Sequence, residues 1–203
     1  MESDLFDERA NICQRIVELA DIHVCAIRHF LPDFPSRATA YRTIARLRKE
    51  RRLRCVGHVV MCAAGRPETV FCNTWKPSKL RHELLLTDFL LCYPKATIVR
   101  GWRVDKRIRA DAEMMLDGRK FFVELDTGEQ SYRQVRDRQL SYAGVQDFLL
   151  YVTLSERRLQ GLLGQADAVK GIALFSTLRR VQVDPAGEVW TDCYGGRAAI
   201  VQA

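Results

Sequence analysis

The sequence predicts an α/β (α+β) protein of two domains, and three observations lead to this prediction. A chain of 203 residues, 47% of them hydrophobic and 28% charged, is long enough for two small domains that each bury a core. The pattern changes near residues 73–79, from helices and one hairpin to strands that alternate with helices. A strongly basic segment, residues 36–54, lies before that change. We therefore expect domains at residues 1–75 and 76–203.

Three helices are expected in the first domain. Residues 11–20 and 23–31 carry apolar side chains at helical spacing, and Ser36 is a good N-cap for a third helix. The apolar stripe of this third helix consists of Ala40, Ile44 and Leu47. Residues 55–73 then form two strand-like runs joined by a loop with glycine and proline, which predicts a hairpin.

The basic charge is concentrated in the segment SRATAYRTIARLRKERRLR, residues 36–54. Eight arginines and lysines stand there against one acid, Glu50, which gives the segment a net charge of +7. The whole chain also carries +7, so the remaining residues sum to zero. One segment therefore supplies the basic character of the protein, and this indicates a polyanionic partner.

Three helices with a basic third one, followed by a β-hairpin, resemble a winged helix-turn-helix. In such modules the third helix enters the major groove of double-stranded DNA and the hairpin contacts the backbone. The side chains expected at base edges or phosphates are those of Arg37, Thr39, Tyr41 and Arg42. Those expected at phosphates are Arg46, Lys49, Arg54 and Arg66. The alternative is a basic surface that is only solvated.

The second domain alternates helices with strands, which predicts a mixed sheet. The expected order is a helix at 79–93, strands at 96–104, 107–116 and 120–126, a helix at 131–144, a strand at 147–154, a helix from Ser155, a strand at 170–178 and a terminal hairpin at 181–192.

Asp117-Gly118, between two apolar alternations, is a strong signal for a two-residue hairpin turn. With these two residues in the turn, Asp111 lies opposite Glu124 and Arg109 opposite Asp126. One face of the hairpin then carries Ile108, Ala110, Ala112, Met114, Leu116, Phe121, Val123 and Leu125. The other face carries Asp111, Glu113, Glu124 and Asp126.

Two carboxylates placed opposite each other need a counter-charge. Their Cβ atoms are roughly 4.5–5.5 Å apart, and like charges at that distance are destabilising. A divalent cation such as Mg²⁺ or Mn²⁺ removes this penalty, because hard cations bind carboxylate oxygens. Alternatively, Arg109, Arg119 or arginines of the following helix neutralise the acids, or the register is shifted by one residue.

A carboxylate on one strand, a turn, a second carboxylate and a helix together resemble the core of PD-(D/E)xK nucleases, which have a restriction-endonuclease-like mixed sheet. The resemblance implies Asp111 and Glu124 as metal ligands, and Gln139 and Tyr142 as a Gln-xx-Tyr element of the site. It also implies Glu83, on the preceding helix, as an acidic metal ligand. More narrowly, "RHELLLTDF", "RADAEMML" and "FFVELDTGEQSYRQVRDRQLSY" resemble the replication–relaxation family of plasmid and mobile-element proteins, over residues 10–155.

One position departs from the nuclease pattern, because Asp126 stands where the nucleases have a lysine. Asp126 is then either an additional metal ligand or the sign of a site that has lost cleavage. Two functions follow from this choice. The first is a DNA-binding protein of a plasmid or mobile element whose nuclease-like domain does not cleave. The second is a metal-dependent DNA endonuclease targeted by its winged helix.

The N-terminal residues, MESDLFDERANIC, are acidic and polar, unlike a secretory signal or a transit peptide. No run approaches the roughly 18 apolar residues that span a membrane. Seven cysteines without an export signal are typical of reduced thiols in the cytoplasm, which is the expected location. The expected partners besides DNA are a second copy of the chain, or replication or transposition proteins.

Overall fold

The structure, a computed structural model, describes residues 2–100 and 108–201. It is an α/β protein with two compact units, Met1–Thr87 and Asp88–Ala203. The division falls within the helix Leu80–Leu90, later in the chain than residue 75, where the sequence predicts it. Within the described residues no helix is both long and apolar enough to cross a lipid bilayer.

The N-terminal unit contains three helices and a small antiparallel sheet. Its elements are α1 (Glu2–Ile22), β1 (Cys25–Ala26), α2 (Ile27–Phe30), α3 (Arg37–Lys49), β2 (Cys55–Val59) and β3 (Glu68–Phe71). The sheet has the order β1-β3-β2, with β3 in the centre. The unit therefore consists of three helices, a hairpin, and a strand from between the first two helices that pairs with the hairpin.

Helix α3 begins where the sequence predicts it. The Ser36 hydroxyl accepts a hydrogen bond from the backbone N–H of Thr39 at 3.2 Å, which satisfies one of the free donors of the first turn. The predicted stripe of Ala40, Ile44 and Leu47 is buried. Ile44 and Leu47 pack in a core that also contains Cys13, Ile16, Phe30 and Phe71. The predicted N-cap and the predicted inward face of α3 are both confirmed.

The helix predicted at residues 23–31 is only partly present. Cys25 and Ala26 form strand β1, α2 covers Ile27–Phe30, and a turn of 3₁₀-helix follows at Leu31–Asp33. Both strand residues are buried and pair with Phe71 and Val70 of β3. Two residues are too few to show a period in the sequence, so only the tertiary pairing reveals this strand.

The C-terminal unit is built on a seven-stranded mixed sheet. Its elements, with α4 crossing the division between the units, are α4 (Leu80–Leu90), β4 (Thr97–Arg100), β5 (Ala112–Leu116), β6 (Arg119–Asp126), α5 (Tyr132–Leu140), β7 (Phe148–Thr153), α6 (Glu156–Leu163), β8 (Ala173–Thr177), α7 (Leu178–Val183), β9 (Trp190–Asp192) and β10 (Arg197–Ala198). The order is β10-β9-β8-β7-β6-β5-β4, with β6, β7 and β8 parallel and the other neighbours antiparallel. The mixed sheet predicted from the sequence is present. The predicted strands at 96–104 and 107–116 extend into residues 101–107, outside the described part.

The terminal hairpin predicted at 181–192 is wrong. Its first run belongs to α7, which begins after Thr177, whose hydroxyl accepts the backbone N–H of Arg180. Leu178 and Val181 lie three positions apart and are buried, so helical spacing decides this segment. The observed hairpin pairs β9 with β10 instead.

The β5–β6 hairpin has the predicted register. Ala112 pairs with Val123 and Leu116 with Arg119, and the turn is Asp117-Gly118. Both turn residues have positive φ, 49° and 73°, as a two-residue hairpin turn of this type requires. The regular pairing ends at Ala112, so the chain places Asp111 at the entrance of the strand.

The prediction that Ile108 and Ala110 share a face of the hairpin with Ala112 and Val123 is wrong. Both pack with Phe122 and Tyr142, on the side of the sheet opposite to Ala112 and Val123. The chain bends at Asp111, so strand alternation does not continue before it. For the same reason Arg109 lies outside the strand and does not pair with Asp126.

Candidate functional site

The N-terminal unit exposes a group of basic side chains on and after α3. The side chains of five of the eight cations between residues 36 and 54 make no hydrogen bond or ion pair with any described residue. They are Arg37, Arg42, Arg48, Lys49 and Arg51, and all are exposed. Arg66, in the loop between β2 and β3, is exposed and likewise without such a contact. These six cations therefore lie at the surface of this unit, with no side-chain partner among the described residues.

The other three cations of the segment are engaged within the unit. Arg46 donates to the Cys13 sulfur at 3.0 Å and lies 3.8 Å from Glu50. Arg52 is 3.9 Å from Glu50. Arg54 donates from Nε to the Cys72 carbonyl at 2.8 Å and from Nη2 to the Trp75 carbonyl.

Two uncharged residues predicted at the DNA interface also have clear positions. The Thr39 hydroxyl lies 3.0 Å from the Ser36 hydroxyl, so it belongs to the cap of α3. Tyr41 is 56% exposed, which is unusual for a large aromatic side chain in a helix of this size.

In the C-terminal unit, Asp111 lies close enough to Glu124 to raise its pKa, although the regular strand pairs end at Ala112 and Val123 and the Asp111 N–H donates to the Val123 carbonyl. Asp111 Oδ2 accepts the backbone N–H of Leu125 at 2.9 Å, which turns its side chain toward β6. Glu124 is 1% exposed, and the neighbouring Asp111 raises its pKa. Two acids therefore lie close together in a buried place, and they need a positive partner.

Glu124 also receives two hydrogen bonds from α5 and the residues that follow it. Arg138 Nη1 donates to Oε2 at 2.6 Å, and the Tyr142 hydroxyl donates to Oε1 at 2.5 Å. Arg138 and Tyr142 lie four positions apart, so one helical turn brings both to the same carboxyl group. The alternative in which an arginine of the following helix neutralises the acids is thus realised at Glu124.

Burial dominates the protonation equilibria of this cluster. Burial raises the pKa of Glu124 well above its usual range, and the neighbouring Asp111 raises it further, while Arg138 and Tyr142 oppose the shift. Burial and then Glu124 raise the pKa of Tyr142, so its hydroxyl stays neutral and donates. For Arg138, burial lowers the pKa, but the nearby acids outweigh it and the net direction is upward. The Arg138 guanidinium is therefore the positive group that opposes the mutual repulsion of the two acids.

Asp126 belongs to a second, separate ion pair. Its Oδ2 accepts from Arg158 Nε at 2.7 Å, and its Oδ1 accepts the backbone N–H of Gly128 at 2.7 Å. Arg158 also donates to the Gln130 carbonyl at 2.7 Å and lies over the Tyr132 ring at 4.3 Å. Both oxygens of Asp126 are therefore occupied by the loop and helix that follow β6 and β7.

Two polar side chains near the cluster are buried without a partner. Both amide atoms of Gln139 and the hydroxyl of Tyr151 make no hydrogen bond within the described residues. Gln139, in α5, and Tyr142, in the turn after it, are both fully buried, and the Gln-xx-Tyr element stays a prediction. Tyr151, opposite Glu124 on the neighbouring parallel strand, was missed because β7 reads as an uninterrupted apolar strand.

The described residues offer a poor fit to a divalent cation. Both oxygens of Glu124 and both oxygens of Asp126 already accept hydrogen bonds from protein donors. Glu83 lies in the first turn of α4, in the N-terminal unit. No group of three or more histidine, cysteine or acidic side chains arranged to hold a metal occurs in residues 2–100 and 108–201. The metal site stays a prediction, and Arg138 is the cation present at Glu124.

No family model, curated protein or solved structure matches the chain.

Proposed function

We propose that the chain is a double-stranded-DNA-binding protein of a plasmid or other mobile element. Its N-terminal unit is a winged helix that binds the duplex through α3 and the β2–β3 hairpin. Its C-terminal unit has the fold of a PD-(D/E)xK nuclease and does not cleave DNA. The resemblance of residues 10–155 to the replication–relaxation family supports the link to mobile elements.

The topology of the N-terminal unit supports the winged-helix assignment. Three helices are followed by a hairpin, and the two-residue strand β1 closes the sheet in the order β1-β3-β2. In helix-turn-helix proteins the last helix of the unit lies in the major groove. That helix is α3 here, and it carries the basic segment.

The single observation that carries the DNA-binding proposal is the uncompensated positive face of α3. Arg42 and Lys49 lie seven positions apart, which is close to two helical turns, so they point the same way. At 100° per residue this direction is opposite to the buried stripe of Ala40, Ile44 and Leu47. Arg42 and Lys49 make no side-chain contact with the described residues and point to solvent along one helix face, which is the arrangement that phosphate contacts require.

Two observations in the C-terminal unit support a domain that does not cleave. Asp126, at the position of the nuclease lysine, is fixed by Arg158 and cannot supply a positive charge to a phosphate. Glu124 is bound by Arg138 and Tyr142, so its oxygens are occupied. The second candidate, a metal-dependent endonuclease, is favoured by the meeting of Asp111 and Glu124 beside Gln139 and Tyr142.

The DNA-binding proposal is tested with the double variant Arg42→Ala/Lys49→Ala. The slope of log K against log salt is about −0.9 for each phosphate contact. The loss of one contact therefore lowers the affinity roughly eightfold at about 0.1 M salt. We expect the variant to bind a random-sequence duplex roughly 10- to 60-fold more weakly than the native chain in fluorescence anisotropy. The charge-matched control is Arg133→Ala/Arg157→Ala, two exposed arginines of the C-terminal unit, for which affinity stays within about twofold. Equal affinities for the native chain and the α3 variant would remove α3 from the interface.

The assignment of a non-cleaving domain is tested on supercoiled plasmid with Mg²⁺ and, separately, Mn²⁺. We expect the plasmid to remain supercoiled, because both oxygens of Glu124 and both oxygens of Asp126 already accept hydrogen bonds from protein donors. The matched control is Glu124→Gln, purified in the same way, which reveals any contaminating nuclease as activity common to both preparations. Nicking by the native protein that disappears in Glu124→Gln would replace this assignment with the endonuclease.

A further inference from the structure

The Asp111–Glu124 pair already has a cation, and it comes from the chain itself. We propose that Arg138 is the built-in counter-ion of this pair and occupies the position that a divalent cation takes between opposed carboxylates. While Arg138 is in place, the C-terminal unit binds no Mg²⁺ or Mn²⁺ at these acids. This inference concerns the C-terminal unit alone and does not rest on DNA binding by α3.

The contacts of Glu124 support the proposal directly. Its Oε2 lies 2.6 Å from Arg138 Nη1 and its Oε1 lies 2.5 Å from the Tyr142 hydroxyl, while the carboxyl group is almost fully buried. A metal ion that binds Glu124 has to displace the guanidinium, because a cation next to a guanidinium meets like charge in a poorly solvated place. Arg138 and a metal ion are therefore mutually exclusive partners of Glu124. The carboxyl group cannot bind a metal while it binds the guanidinium.

The charge of the cluster supports the same conclusion. Arg138 already supplies a positive charge 2.6 Å from the buried Glu124 carboxyl group. A divalent ion added while Arg138 stays in place would set three positive charges against two carboxyl groups in a poorly solvated place. Without Arg138, two ionised carboxylates offer a divalent ion full compensation.

The position of Arg138 makes the exclusion reversible. The Arg138 side chain is 36% exposed, whereas its partner is buried, so the guanidinium lies at the border between the cluster and water. A change of side-chain rotamer moves it to solvent without unfolding α5, whose first turn is fixed by the Ser131–Gln134 capping box. The Arg138 side chain alone thus keeps a metal ion from Asp111 and Glu124, and the surrounding backbone does not have to move to admit one.

The experiment measures the melting temperature of the full chain with and without 10 mM Mn²⁺. We expect no Mn²⁺-dependent shift for the native chain, and none for Arg136→Gln, an exposed arginine on the same helix. For Arg138→Gln we expect an increase of about 3 °C or more, which corresponds to a dissociation constant near 1 mM. The shift should vanish in Arg138→Gln/Asp111→Asn, where one carboxylate has been replaced by an amide that keeps its acceptor for Leu125.

Three results would overturn the proposal. The first is a Mn²⁺ shift in the native chain that disappears in Asp111→Asn, because metal would then bind with Arg138 present. The second is a folded Arg138→Gln variant that does not respond to Mn²⁺. If Arg138→Gln does not fold, Arg138→Gln/Glu124→Gln decides the matter. A counter-ion role requires that removing the acid restores a cooperative melt, and failure to restore it contradicts the proposal. The test of α3 with Arg42→Ala/Lys49→Ala is unaffected by any of these outcomes.

Discussion

Replacing Arg158 with methionine is expected to lower the free energy of unfolding by about 3 kcal/mol at pH 7. Arg158 and Asp126 form a buried ion pair, with side chains 13% and 6% exposed and a distance of 2.7 Å. Methionine keeps much of the aliphatic packing but leaves the Asp126 carboxylate buried without its cation, and broken buried pairs cost roughly 3–5 kcal/mol. The Gln130 carbonyl loses its donor and the Tyr132 ring loses the guanidinium above it. The measurement is urea unfolding followed by circular dichroism.

The neighbouring residue provides the control for this prediction. Arg157 is exposed and, within the described residues, makes no ion pair, so Arg157→Met should change stability by less than about 0.5 kcal/mol. In the double variant Asp126→Asn/Arg158→Met no buried charge remains, so it should be more stable than Arg158→Met alone. Similar losses for Arg157→Met and Arg158→Met would show that Arg158 does not act through the buried pair.

The β5–β6 hairpin could be predicted in detail because its determinants are local. Asp117-Gly118 specifies a two-residue turn, and the turn fixes the register of the adjacent residues. The register extends to Ala112 and Val123, and hydrogen bonds of Asp111 to Val123 and Leu125 then hold Asp111 beside β6. The same holds for α3, whose cap and apolar stripe lie within a dozen residues of each other.

The partners of the acids could not be predicted because they are distant in sequence. Arg138 is 14 residues from Glu124 and Arg158 is 32 residues from Asp126, and both contacts depend on how helices pack on the sheet. The bend at Asp111 was also hidden, since residues 108–116 alternate between apolar and polar almost as a continuous strand does. Tertiary packing, not local pattern, decides which cation each carboxylate receives.

The largest loss of DNA affinity is expected when four free cations are removed together. Arg37, Arg42, Lys49 and Arg66 are exposed and make no ion pair within the described residues. Their replacement by alanine removes charge without removing an internal contact, so the fold should keep its melting temperature. If each contacts a phosphate, the slope of log K against log salt becomes less negative by about 3.6, which is 0.9 for each contact. Arg54 is left in place, because its guanidinium holds the Cys72 and Trp75 carbonyls.

The salt dependence of duplex binding is the most direct test of the central claim that the basic face of α3 and the hairpin loop bind DNA. Affinity for a random-sequence duplex is measured at salt concentrations from about 50 to about 200 mM. Over this range phosphate contacts change the affinity strongly. We predict a steep negative slope for the native chain and a slope smaller by about 3 to 4 for the fourfold variant. Parallel lines for the two proteins, or a native affinity that does not respond to salt, would contradict the account.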